Sequence, residues 1–204
     1  MTATELERID GLDIRRCFEA EMRAADGEDM KVEGYALKFD KVTLIGSSYW
    51  GWNESIAKTA LDGADLSDVV FDFNHSFDSL LARTKNSSLS LNADDVGLKT
   101  VARIADTAVG RDVYAMIKDG LITKMSFWAV VRKSVWTFVE DGSEELDSRV
   151  ITEFGRFYDV SAVTFPAYED TEIATRGMQL ETEARRKLVY DRQIAKLNRI
   201  LLKK

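Results

Sequence analysis

One histidine, His75, and one cysteine, Cys17, bound the side-chain chemistry open to this 204-residue chain. A Cys/His zinc cluster needs more ligands than these two, and the HExxH motif is absent. GxGxxG and GxxxxGK[ST] do not occur either, which argues against nucleotide-driven chemistry. A carboxylate-only site for magnesium or calcium would need a spaced acidic loop, and none stands out. Cys17, in RRCFEAEMRAADG, lies ahead of the strand-rich body and reads as an incidental thiol. What remains is a serine nucleophile with His75 as its base, against the plainer reading of His75 as a structural or surface residue. Such a pair needs an imidazole to take the hydroxyl proton and a third group to fix the ring tautomer. Spacing does not identify the serine, because triads assemble in space. Asp159, in FYDVSAVTF, needs a partner if buried, and either a histidine or an ordinary salt bridge would supply one.

The elements that must position these residues read mostly as strands. LSDVVFDFNHS alternates, with Val69, Phe71, Phe73 and His75 on one face and Val70, Asp72 and Asn74 on the other. His75 thus ends an apolar face as a polar tip. The same alternation puts Asp159 on a face with Phe157, Ser161 and Val163. KVEGYALKFD is a strand with Gly34 inside it, and LSLNADDVGLKTVARI is a hairpin turning near Asp94, Asp95 and Gly97. Residues 41–57 mix glycines with aromatics and read as a long loop. A helix starts at a Thr107 cap, carries Val109, Val113, Met116 and Ile117 at helical spacing, and ends at Gly120. KMSFWAVVRKSVWTFV is a buried strand, EDGSEELDSR a solvated turn, and VITEFGRFYDVSAVTF a last strand stopped by Pro166. Tyr190, Ile194, Leu197 and Leu201 then mark a narrow apolar stripe on a basic helix of roughly 20 residues. The expected class is α+β: a strand-rich domain with a C-terminal amphipathic helix.

Hydrophobic residues make up 45% of the chain and charged residues 31%, as in an ordinary soluble domain. No apolar run nears the ~20 residues of a membrane span, and MTATELERIDG lacks the features of a signal peptide. A cytoplasmic protein with no membrane partner is expected. The net charge of −7 argues against a nucleic-acid partner. From Glu181 to Lys204 eight Lys or Arg stand against three Asp or Glu, a net of +5, which leaves −12 on the rest. An acidic body with a basic tail suggests two jobs.

VEGYALKFD, DFNHS, LLARTKNSSLSLNADDVGLKTVARI, GRDVYAMIKDGLITKMSF and FYDVSAVTFPAYEDTEI stand in this order between residues 30 and 176. Together they resemble the prohead serine proteases of tailed bacteriophages. That family has an EGYA-x-x-F strand, an apolar segment closing on Asn-His, a hairpin with an acidic-Gly-Leu turn, a helix followed by a glycine and Met-Ser-aromatic, and a closing acid-Val-Ser, Thr-x-Pro-Ala pattern. Each stretch is weak alone, and five in register outweigh one. The resemblance implies His75 as general base, Ser126 as nucleophile and Asp159 as third member. It implies a fold similar to the herpesvirus assembly protease, a β-barrel flanked by helices, divided here into an N-terminal segment (1–29), a catalytic domain (30–178) and the basic helix (179–204). That relative uses a second histidine as third member. This chain has none, so an acid must serve or the pair must work alone. The family usually carries a small residue two positions after the nucleophile, where this chain has Trp128. On a strand, Trp128 would share a face with Ser126 and crowd or line the cleft.

The activity so implied is a serine endopeptidase of capsid maturation that needs no cofactor. Its substrates would be the phage scaffolding protein, the delta segment of the major capsid protein or both, with the protease itself a further candidate. It would act in the host cell cytoplasm, inside the assembling prohead. Homo-oligomerisation is also raised, since related assembly proteases couple activity to assembly. The basic helix is expected either to dock the enzyme into the prohead or simply to pack on the barrel. Two rivals stand beside this reading: an inactive assembly protein of the same fold, and a β-rich binding module with Trp50, Trp52, Trp128 and Trp136 as contact residues.

Overall fold

The computed structural model describes residues 4–18, 22–25, 29–46, 51–139 and 145–164. The chain divides into Met1–Glu169 and Asp170–Lys204, and every described residue lies in the first unit. The basic helix expected over 179–204 lies outside the described residues, as does Trp50.

In chain order the elements are β1 (Thr4–Phe18), β2 (Arg23–Ala24), β3 (Lys31–Lys38), β4 (Thr43–Ile45), β5 (Trp52–Ile56), β6 (Val70–Phe73), β7 (Ser76–Arg83), β8 (Leu89–Ala93), β9 (Gly97–Arg103), α1 (Ala108–Lys118), β10 (Lys124–Phe138) and β11 (Ser148–Val163). The strands form two sheets. One runs β1-β10-β11-β5-β4, with β6 attached to β11 and β7 to β6, and the other runs β2-β3-β9-β8. Alternating apolar residues send Val32, Ala36, Leu98 and Ala102 from the small sheet, and Met125, Phe127, Ala129 and Val131 from β10, into one core. α1 adds Val113 and Ile117 from its buried stripe. The Thr107 side chain caps this helix by accepting from the Gly110 N–H at 3.0 Å, and Gly120 follows it at φ 73°.

The hairpin, the helix and the two long strands form where the sequence predicts them, but two expectations are corrected, the loop over 41–57 and the barrel. Residues 41–57 hold β4 and β5 rather than a single loop. The N-terminal segment holds β1, which pairs with β10 from Thr4↔Phe138 to Phe18↔Met125. The expected β-barrel flanked by helices is replaced, among the described residues, by two open sheets and one α-helix. β11 is where the large sheet branches. Its first half pairs in parallel with β5 and its second half with β6, on the edge away from β10.

Candidate active site

Register across three strands builds the platform. β10 and β11 set Ser126 opposite Ser161 and Trp128 opposite Asp159, while β6 sets Asp72 opposite Ser161. Residues paired across a ladder share a face, so Ser126, Ser161 and Asp72 form one row with Asp159 a step along β11. The opposite face is core: Phe127, Phe154 and Phe157 pack with ring centroids 5.1–5.6 Å apart. Strict alternation would put Asp159 with Phe157. The register shift beside Trp128 instead inserts Tyr158 as an extra residue, so Phe157 enters the core while Asp159 turns to the other face.

His75 departs from its expected place as well. β6 ends at Phe73, which pairs directly with Ser76, and Asn74 and His75 form a two-residue hairpin turn at φ 56° each. Left-handed φ at both positions is the type I′ pattern, in which Asn suits the first position and Gly normally takes the second. A histidine there carries strain of order 1 kcal/mol or more. The turn is held against β11 by several bonds. The Asn74 N–H donates to the Ala162 carbonyl (2.9 Å), the Thr164 N–H to Asn74 Oδ1 (3.1 Å), and the His75 N–H to Ser161 Oγ (2.9 Å). Asn74 therefore positions the turn.

The ring then bridges the two remaining candidates. His75 Nδ1 lies 2.9 Å from Asp159 Oδ1, and His75 Nε2 lies 2.7 Å from Ser126 Oγ. An ionised Asp159 can only accept, so it takes the Nδ1–H, and Nε2 is left to accept the serine proton. Asp159 is fully buried and Ser126 is 1% exposed. Ser126 Oγ also stands 2.9 Å from the Arg16 carbonyl on β1, so one hydroxyl proton has two acceptors in reach. Asp72, His75 and Asp159 have metal-ligating atoms within 4.8 Å of one another, but both ring nitrogens are already engaged.

Two features escape a reading of the sequence. Asp72 sits in the apolar run VVFDF, and a lone acid inside such a run is itself the signal of a buried carboxylate. Burial, and then the charge of Asp159, push this carboxyl up to about 7. The second feature is a buried ion network. Arg16 pairs with Glu54 (Nε–Oε1 2.5 Å), Arg149 bridges Glu54 (3.0 Å) and Asp10 (2.9 Å), and Asp10 also accepts from Ser134. Burial alone would raise the Glu54 carboxyl, but Arg16 and Arg149 outweigh it and hold Glu54 below the usual carboxylate range. These partners lie far apart in sequence, so spacing gives no sign of them.

The tryptophans divide by burial. Trp52 and Trp136 are buried, 5.6 Å apart, which removes them as contact residues of a binding module. Trp128 is half-buried, two residues along β10 from Ser126. It stacks on the exposed Phe77 (6.0 Å), packs on Tyr158 (4.8 Å) and lies under the Arg15 guanidinium (4.3 Å). Trp128 thus lines the site rather than filling it.

A family model described as caudovirus prohead serine protease matches residues 18–186. The matched span contains His75, Ser126 and Asp159, and most of β1 precedes it. No curated protein and no solved structure matches the chain.

Proposed function

The chain belongs to the caudovirus prohead serine protease family, and on that premise we propose that it is the endopeptidase of capsid maturation, with Ser126 as nucleophile, His75 as general base and Asp159 as the orienting acid. The observation that carries this reading is the unbroken chain of hydrogen bonds from Ser126 Oγ through both ring nitrogens to Asp159. Ser126 Oγ attacks the scissile carbonyl carbon while His75 Nε2 takes its proton. The imidazolium so formed is stabilised by Asp159 and returns the proton to the leaving amine. Water then attacks the acyl carbon as Nε2 takes its proton, and the C–O bond to Ser126 breaks as Oγ takes that proton back and the carboxylic acid leaves. The substrates are the scaffolding protein and the delta segment of the major capsid protein, cut inside the prohead in the host cytoplasm, and the chain itself. Among the described residues no helix is long and apolar enough to cross a membrane.

The test is co-expression with the phage's scaffolding and capsid proteins. Wild type trims them, and itself, while Ser126→Ala trims nothing. Equal cleavage by the two would sink the peptidase reading. No cleavage by either, with proheads still assembling, would favour an inactive assembly protein. Asp159→Asn leaves the ring without its acceptor and favours the wrong tautomer. We expect kcat to fall on the order of 10³- to 10⁴-fold with little change in KM; a fall below tenfold in steady-state assays would remove Asp159 from this role.

The segment 179–204 is proposed as a docking element, from its charge reversal against the body. Deleting it is expected to deplete the enzyme from purified proheads while leaving cleavage of free scaffolding protein intact. Normal packaging of the shortened chain, read by gel densitometry, would count against docking.

A further inference from the structure

Asp72 is fully buried, and neither of its carboxylate oxygens has a hydrogen-bond partner among the described residues. Asp159 is equally buried, and its Oδ2 is also unpartnered. An oxygen of Asp72, a ring nitrogen of His75 and an oxygen of Asp159 all lie within 4.8 Å of one another. Two ionised carboxylates held this close and this dry lack the water that stabilises charge, and they repel. A single proton on the pair relieves both costs. Asp159 Oδ1 already receives the His75 N–H, which favours the ionised form of Asp159 and leaves the proton to Asp72. A protonated Asp72 gains a donor, and the unpartnered Asp159 Oδ2 is an acceptor for it.

We propose that Asp72 is a positioning residue that holds this proton in the resting site and acts on His75 through Asp159. Its catalytic consequence rests on the peptidase reading; the proton itself does not. The titratable groups facing Asp72 are Asp159 from β11 and His75 from the turn, which raise and lower its carboxyl respectively. Of its other neighbours, the Ser161 hydroxyl on β11 and the His75 backbone N–H stand outside hydrogen-bond geometry but also pull the carboxyl down, against the larger effects of burial and Asp159, and β7 sets Leu80 opposite. With its carboxyl up at about 7, Asp72 gives up the proton near neutrality. A second negative charge then stands behind His75 and favours the imidazolium that forms as Ser126 loses its proton.

The test uses Asp72→Asn, which is uncharged, similar in shape to the protonated acid and able to donate to Asp159. The first readout is Tm against pH in a Ser126→Ala background, where self-cleavage cannot interfere. A carboxyl raised on folding costs stability as pH climbs through its unfolded value, near 4, and the cost is complete above its folded value. Asp72→Asn is therefore expected to gain roughly 5–10 °C over its parent between about pH 4 and pH 8.5. A difference that does not change with pH would overturn the proton. Infrared spectroscopy gives the same readout with Asp72 intact: a buried protonated-carboxyl band at acid pH that disappears as pH rises past neutrality. A divalent cation such as Zn²⁺ that stabilises the parent and not Asp72→Asn would assign the cluster to a cation and overturn the proton as well. The second readout is kcat/KM against pH on a scaffold-derived peptide. Asp72→Asn is expected to narrow the acid limb to one ionisation and move it down by up to about one pH unit, with KM unchanged. Identical limbs would remove the positioning role. If neither protein cleaves the peptide, the peptidase reading fails, while the Tm and infrared arms still decide the proton.

Discussion

Combining Ser126→Ala with His75→Ala is expected to leave the enzyme no slower than either substitution alone. Each single change should lower kcat on the order of 10⁴- to 10⁶-fold. The reason lies in the geometry. In the proposed relay Ser126 Oγ is a weak nucleophile until Nε2, 2.7 Å away, takes its proton, and Nε2 has nothing to accept once the hydroxyl is gone. Two groups that act as one step have one step to lose, so their effects do not add. Neither change should unfold the protein. Ser126→Ala removes a hydroxyl from a buried strand and leaves the Arg16 carbonyl in its ladder. Initial rates on scaffolding protein, measured for wild type, both singles and the double, decide it. A double variant far below both singles would mean that Ser126 and His75 contribute independently, and the relay would be wrong.

The largest loss of stability is expected at Arg149, away from Ser126. Its side chain is 1% exposed and bridges Glu54 on β5 to Asp10 on β1. Arg149→Met would leave Glu54 to Arg16 with one cation fewer and Asp10 without its partner on β11. Breaking a buried pair from one side typically costs about 3–5 kcal/mol, because the remaining charge stays buried without compensation. In a chain of this size that is a fall in Tm of roughly 10 °C. Replacing Asp10, Arg16, Glu54 and Arg149 together with uncharged residues of similar volume should recover much of the loss, since the Arg8 charge that Asp10 leaves behind is partly exposed. Urea unfolding of the Ser126→Ala protein with each set gives the comparison. A cost below about 1 kcal/mol for Arg149→Met would show that the network is solvated. Glu54 adds a pH signature. Its carboxyl is held low on folding, so its contribution is complete above the unfolded value and disappears as pH falls through the folded one. Asp72 acts in the opposite sense, so stability is squeezed from both sides.

What the sequence discloses depends on which face of a strand is apolar. β10 and β3 are legible because their core faces alternate in hydrophobicity. β1 is not, because its inward positions include Arg8, Asp10 and Arg16, which feed an ion network rather than an oily core. Its pairing with β10 is a tertiary fact that no local pattern carries. The site divides in the same way. Ser126 is nameable only through resemblance, while His75 stands out as the one histidine and Asp159 as an acid in need of a partner; they lie 51 and 33 positions apart and nothing local joins them. Alternation placed His75 on a strand and Asp159 beside Phe157, and both placements fail for one reason. Period two holds only while the ladder is regular, and a turn ends it at Asn74 while an extra residue breaks it at Tyr158.

That extra residue means that pairing, and not inventory, decides which way the acid faces. Phe157 and Asp159 are separated by one residue, yet they point to opposite faces because Tyr158 stands outside the ladder. Were Tyr158 to enter the ladder with the pairing up to Phe157 kept, Asp159 would turn into the aromatic core, and the relay would be broken with every member still encoded. Loss of the Tyr158 codon would do the reverse. Phe157 and Asp159 would become direct neighbours, which face opposite ways on a regular strand, and the acid would keep its place. An intact inventory of Ser126, His75 and Asp159 in a divergent copy would therefore not by itself mean a working one.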